Sequence, residues 1–184
     1  FRKWFEESLS AEVIEPNAMF LSTISQDGYP QGRIVLLKDV DDNGFTFYTN
    51  YNSHKGADLA IHPLAALTFW WAELERQVRI LGKVEKVSES ESDAYFSVRP
   101  RGSQLGAWVS SQSEVIENRE VLTDKLDKFE AQFANQPVPR PPHWGGYRVI
   151  PHEIEFWQGR PSRLHDRIRY QYQNNEWKIE RLSP

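Results

Sequence analysis

Short apolar and β-branched runs, each ended by turn-forming residues, dominate this chain and predict strands more often than helices. Ala18–Ser25 predicts one strand, and Gln26-Asp27-Gly28 turns it. Gln31–Val40 predicts the next. Its four successive apolar residues, Ile34–Leu37, suggest burial on both faces. Asp41-Asp42-Asn43-Gly44 leads into a third strand, Phe45–Thr49, so the start of the chain reads as a meander of antiparallel hairpins. Leu64–Trp71 and Arg76–Glu85 predict two more. Trp144–Ile150, Glu153–Gln158, Arg163–Gln171 and Trp177–Leu182 predict a C-terminal group of three or four strands that turns at Asn174-Asn175.

Helical spacing is confined to a few places. Phe1 to about Leu9 is amphipathic, and Ser53–His62 is stopped by Pro63. Ser88-Glu89-Ser90-Glu91 is a capping box opening a helix towards Ser97, and Ser111–Glu114 is a second box that opens the longest helix, to about Phe133. Arg99–Ser103 reads as a loop. Gln136–Pro142, with four prolines, reads as an extended connector too short to separate domains. The pattern predicts a single α+β domain over residues 1–184, a mainly antiparallel barrel with peripheral helices.

Composition narrows the function. With 39% hydrophobic and 26% charged residues the chain reads as globular. A net charge of −4 argues against a general nucleic-acid binder. The cations are nevertheless clustered, at Arg99/Arg101 and from Arg160 to Arg169, which suits a small anionic ligand as well as a solvated surface. The chain has no cysteine, which excludes thiolate chemistry and fits a cytoplasmic protein. No run approaches the roughly 18 apolar residues of a membrane span. Phe1 already lies inside the first helical pattern, so the natural chain is expected to begin further upstream.

Several constellations carry chemistry. Arg163, His165 and Arg167 alternate, which in a strand places two guanidiniums and an imidazole on one face. Arg33 and Lys38 bracket Ile34, Val35, Leu36 and Leu37 and would point to opposite faces of an unbroken strand. Tyr48-Thr49-Asn50 and Asn52-Ser53-His54-Lys55 surround a helix start, either a phosphate site or an ordinary cap with a surface lysine. Tyr95, Arg99 and Ser103 recur four apart and offer a phenol, a guanidinium and a hydroxyl, the groups that grip a second phosphate. Gln112 and Ser113 serve a ligand or only a cap. The five histidines are scattered, so no metal site is expected.

Taken in order, these segments resemble the pyridoxamine/pyridoxine 5′-phosphate oxidase family. The resemblance rests on Arg33–Lys38, Phe47–Asn50, Glu75–Gln77, Arg99–Arg101, Ser103–Ser110, Gln112-Ser113, His143–Gly146, Ile154–Gly159, Arg163–Arg167 and Trp177–Pro184, essentially the whole chain. It implies a split β-barrel that forms a homodimer, with residues from about 140 to 184 contributing to the dimer and the active site. It implies oxidation of pyridoxamine 5′-phosphate and pyridoxine 5′-phosphate to pyridoxal 5′-phosphate, with FMN as cofactor and O2 as acceptor, giving H2O2. FMN contacts carried over are Arg33, Ile34, Val35, Leu36, Leu37, Lys38, Tyr48, Thr49, Lys55, Gln77, Gln112, Ser113, Trp157 and Arg167. Substrate contacts are Lys38, Tyr95, Arg99, Ser103, Arg163, Leu164 and His165. Of these, Arg163 and His165 are the catalytic candidates, orienting the ring and assisting proton removal. The family often carries Arg-Lys where this chain has His54-Lys55, and its N-terminal segment lies outside these 184 residues. The alternatives are a flavin oxidase of the phenazine-biosynthesis type and a non-catalytic flavin or pyridoxal phosphate binder. No nucleic-acid or membrane partner is expected.

Overall fold

A computed structural model describes all of residues 1–184. The strands are β1 (Ala18–Ile24), β2 (Pro30–Leu36), β3 (Asp39–Asp41), β4 (Gly44–Asn50), β5 (Leu64–Trp71), β6 (Arg76–Lys86), β7 (Trp144–Gln158), β8 (Asp166–Gln173) and β9 (Glu176–Arg181). They form one antiparallel sheet in the order β2-β1-β5-β6-β7-β4-β3, with β8 and then β9 added beside β7. The helices are α1 (Arg2–Ser10), α2 (His54–Ile61), α3 (Glu89–Ser97), α4 (Arg101–Val109) and α5 (Glu120–Gln132). None is long and apolar enough to cross a membrane.

The sheet curls because alternate residues of distant strands share one core. Along β6, Val78, Ile80 and Val84 point inward while Arg79, Lys83 and Glu85 stay exposed. Met19 and Leu21 of β1, Phe47 of β4, Leu67 and Phe69 of β5 and Val149 of β7 join the same cluster. The barrel is closed where Lys38 N, just past β2, donates to Thr46 O of β4 at 2.9 Å. Phe1 and Phe5 of the α1 segment cover the core, with Phe1 5.0 Å from the Phe45 ring and 5.1 Å from that of Phe69. A second core of Phe96, Leu105, Phe133, Val138 and Trp144 binds α3, α4 and α5 to the start of β7. This is the expected α+β, mainly antiparallel split barrel with peripheral helices.

Four local expectations are corrected, and one left open is decided. Trp144–Ile150 and Glu153–Gln158 are one strand of 15 residues, so the C-terminal group has three strands rather than four. Pro151 does not break it because it sits at a bulge, where pairing with β6 slips between Leu81↔Glu153 and Gly82↔Pro151 and leaves His152 as the extra residue. Gly82 is needed opposite: a Cβ there would stand 2.4 Å from the Ile150 carbonyl oxygen. β2 is an edge strand with one open face, so Ile34 is 63% exposed and the apolar run is not buried on both sides in this chain. Arg101–Ser103 is helical, since Pro100 opens α4 rather than a loop.

The Ser111 box is not formed. Ser110–Arg119 is irregular, and Asn118 Oδ1 accepts from Val121 N at 3.3 Å at the actual start of the long helix. Finally, β8 begins only at Asp166. Arg163 lies in a 3₁₀ turn where Ser162 and Arg163 both have positive φ, 59° and 61°, so Arg163, His165 and Arg167 do not alternate along one strand.

Burial ranks the substitutions. Phe47→Ala, at a fully buried site, is expected to lower unfolding free energy by about 3–5 kcal/mol. Ser88→Ala, which removes the capping box that is formed, is expected to cost about 1 kcal/mol. Urea unfolding of the purified protein checks both, and an equal effect of the two would contradict this ranking.

Candidate functional site

Polar side chains gather in three places. The first is the N-terminus of α2. Ser53 caps the helix, its hydroxyl accepting from Gly56 N at 3.3 Å. Gly56 lies so close to the preceding turn that a Cβ would meet the Tyr51 carbonyl oxygen at 2.0 Å. Lys55 follows the cap and is buried, 8% exposed. Its Nζ donates to Thr49 Oγ1 and Ser53 Oγ at 3.3 Å and to Gln112 Oε1 at 3.2 Å, all neutral oxygens. Burial pushes the Lys55 amine below its ordinary pKa, nearby Arg33 pushes the same way, and Asp58 opposes both. The irregular segment before α5 completes the group, with Ser113 Oγ accepting from His54 N at 3.3 Å. A buried cation at a helix N-terminus, held only by neutral oxygens and without a carboxylate on its ammonium, can take an anion.

The second group lies beside the first. Tyr95 and Arg99 come from the end of α3 and the turn after it, and Ser103 from α4. The Tyr95 ring stacks on Tyr48 at 4.0 Å, and Tyr48 on Trp144 at 5.4 Å. The Arg99 guanidinium lies 4.5 Å from the centre of the Trp144 ring. Its Nη1 is buried without a hydrogen-bond partner, and burial lowers its pKa. A pocket of about 370 Å³ runs between the two groups, lined among others by Tyr48, Thr49, Asn50, Arg99, Ser103 and Gln112.

The third group is on the outer face of the sheet. Cross-strand pairing sets Trp70, Gln77, Trp157 and Arg167 in one row. Trp157 lies 6.0 Å from Trp70 and 4.6 Å from the His165 ring. Arg167 Nε donates to buried Glu155 at 2.7 Å, and Arg79 reaches the same carboxylate at 3.6 Å. That pairing raises the Arg167 pKa. The Arg160 backbone N–H donates to His165 Nδ1 at 3.1 Å. Arg163 and Leu164 are exposed beside it. Phe20, Ile24, Ile34 and Trp70 leave large apolar side chains exposed on β1, β2 and β5.

The sequence candidates therefore fall into separate assemblies. Arg33, Thr49, Lys55, Gln112 and Ser113 meet at α2; Tyr48, Tyr95, Arg99 and Ser103 meet at the start of β7; Gln77, Trp157, His165 and Arg167 meet at its end. Ile34 faces out and Arg33 in, while Val35 and Leu36 are half-buried and Leu37 buried. Lys38 is exposed, its backbone bonded to β4 two residues from Tyr48. Trp144 and Trp157 mark the second and third assemblies, near opposite ends of β7, at most about 40 Å apart along 13 strand residues at about 3.3 Å each. One chain does not bring Arg163 or His165 to Arg99.

Sequence reasoning missed four contributors. Trp144 and Asn50 were within quoted segments but without a role. Asp58 and Thr23 had no local signal, because they meet only when α2 packs on β1.

The sequence profile described as "Pyridoxamine 5'-phosphate oxidase" matches residues 5–133, and that described as "Pyridoxine 5'-phosphate oxidase C-terminal dimerisation region" matches residues 144–184. The chain is 65% identical to the pyridoxine/pyridoxamine 5'-phosphate oxidase of Nostoc punctiforme, over 100% of this chain and 86% of that protein. It is 58% identical to the protein of the same name from Cupriavidus necator, over 100% and 87%. The crystal structure of PhzG from Burkholderia lata 383, in complex with tetrahydrophenazine-1-carboxylic acid, superposes with a TM-score of 0.95 at 34% identity, covering 100% of this chain and 90% of that one. With both profiles matched in order along nearly its whole length, this chain belongs to the pyridoxamine 5'-phosphate oxidase family.

Proposed function

We propose that the protein oxidises pyridoxamine 5′-phosphate and pyridoxine 5′-phosphate to pyridoxal 5′-phosphate as a homodimer, with FMN as its flavin and O2 as acceptor, releasing H2O2. The observation that carries this is a pair of buried cations on either side of one pocket. Lys55 is buried with only neutral oxygens on its amine, and Arg99 has a buried N–H without a partner. Two such groups fit two phosphates, one on the flavin and one on the substrate.

The donor set at α2 fits a flavin phosphate: the side chains of Lys55, Arg33, Thr49, Gln112 and Ser113 and the backbone N–H of Lys55. Gln77, Trp157 and Arg167 would meet the flavin ring system, and the bound flavin would supply the hydride acceptor. Tyr95, Arg99 and Ser103, with Lys38, would clamp the substrate phosphate, so the reacting end is held with little freedom left. Arg163 and His165 would lie over the pyridine ring. Because the Arg160 amide donates to His165 Nδ1, Nε2 is the ring nitrogen left to face the pyridine and orient it. Arg79 and Arg167 share one carboxylate, Glu155, which leaves a net positive charge for the electron-rich reduced flavin.

The placing of clamp and imidazole near opposite ends of β7 supports a site completed by two chains. The matched dimerisation region and the exposed apolar side chains of β1, β2 and β5 point the same way. A phenazine-type substrate is the second reading, favoured by the likeness to PhzG. The tetrahydrophenazine carboxylate bound there has no phosphate and would leave the Arg99 clamp without work.

Purified protein is expected to show a flavin spectrum and to form pyridoxal phosphate in an oxygen-dependent assay; a colourless protein that cannot bind added FMN would sink the proposal. Arg99→Ala is expected to raise KM for pyridoxamine 5′-phosphate by about 10- to 100-fold, the worth of a charged hydrogen bond, without loss of bound flavin. An unchanged KM would favour the phenazine-type reading. At substrate concentrations well below the variant KM, co-expressed Arg99→Ala and His165→Ala chains are expected to exceed the activity of either variant alone, since one site of the mixed dimer would be intact. No recovery would place both groups in one chain.

A further inference from the structure

Asp58 is a buried carboxylate, 7% exposed, one turn into α2 from Lys55. Its charge opposes any anion bound at the helix start, so its position there calls for a reason. Thr23 Oγ1 donates to Asp58 Oδ2 at 2.6 Å, and Arg33 Nη1 donates to the same hydroxyl at 2.5 Å. Arg33 Nη2 lies 3.6 Å from Asp58 Oδ2. The hydroxyl is thus a relay between a guanidinium from β2 and a carboxylate from α2, passing through β1.

Arg33 and Lys55 are like charges close enough to shift one another, and both are largely withdrawn from water. Asp58 compensates one of the two. The three groups together carry one positive charge, from two cations and one carboxylate, where the cations alone would carry two. Without the carboxylate, Arg33 on its edge strand is free to swing to solvent.

We propose that Asp58 is a positioning residue for the flavin phosphate. Through Thr23 it holds Arg33 in the cradle beside Lys55, and this preorganisation outweighs its own repulsion of the phosphate. The inference rests on the reading of α2 as the FMN phosphate site.

The two effects have opposite signs, so affinity separates them. Flavin-stripped protein is titrated with FMN and with riboflavin, which lacks the phosphate, by following flavin fluorescence. For Asp58→Asn the FMN Kd is expected to rise about tenfold, the loss of one charge-assisted contact, while the riboflavin Kd changes less than about threefold. Thr23→Val keeps the carboxylate and cuts the relay, and is expected to lower FMN affinity selectively as well; it serves alone if Asp58→Asn does not fold. Tighter or unchanged FMN binding overturns the proposal, because repulsion would then dominate. An equal loss for both flavins also overturns it, since that is what mere loosening of the fold would do. Wild-type protein that binds FMN and riboflavin equally well overturns the phosphate-site reading beneath it.

Discussion

The backbone hydrogen bonds of β7 set the scale for every other part of the molecule. One edge of this strand is bonded to β6 from Tyr147 to Gln158, while the other is bonded first to β4 and then, past the His152 bulge, to β8. Its first half thereby belongs to the closed barrel and the helical layer over Trp144, and its second half to the open extension that carries His165 and Arg167. Extended backbone is stiff and nearly incompressible along its length. The end beside Arg99 and the end beside His165 are therefore held apart in one chain, and a second copy is the simple way to bring them together.

Electrostatics gives this frame its ligand. Withdrawing an ammonium or a guanidinium from water is costly when no opposite charge meets it. Lys55 and Arg99 are both in that position, Lys55 among neutral oxygens and Arg99 against aromatic faces. Each gains most from an anion that enters its pocket, so ligand binding and folding stability are linked through the same two side chains. Elsewhere the chain does the opposite. Arg76 meets Glu7, Arg140 meets Asp93 and Arg148 meets Glu91, each cation paired within the protein.

Much of this was legible in the residues. The Gly28 turn, the cap at Ser53, the Ser88 box and the Asn174-Asn175 turn all formed where local chemistry placed them, because each depends on neighbours a few residues away. The failures are equally physical. Ser111–Glu114 has the letters of a capping box, but no helix follows it until Glu120. Arg163, His165 and Arg167 alternate in sequence, yet two successive residues at positive φ turn the chain before β8 begins. Ile34–Leu37 reads as a doubly buried strand only if something covers the open face of β2, and the sequence does not say what does. The relay of Thr23, Arg33 and Asp58 draws on three elements and left no local pattern at all.

The extra residue at His152 has a consequence for how this chain can vary. Side chains along β7 alternate between core and outer face, so losing or gaining one residue on either side would turn Glu155 and Trp157 over and send each to the wrong side of the sheet. The strand can change length only in steps of two, or where a bulge absorbs the odd residue. The bulge thus acts as a parity register: it sets the phase of the distal half of β7 independently of the proximal half, and insertions are tolerated in the loops at either end but not between them.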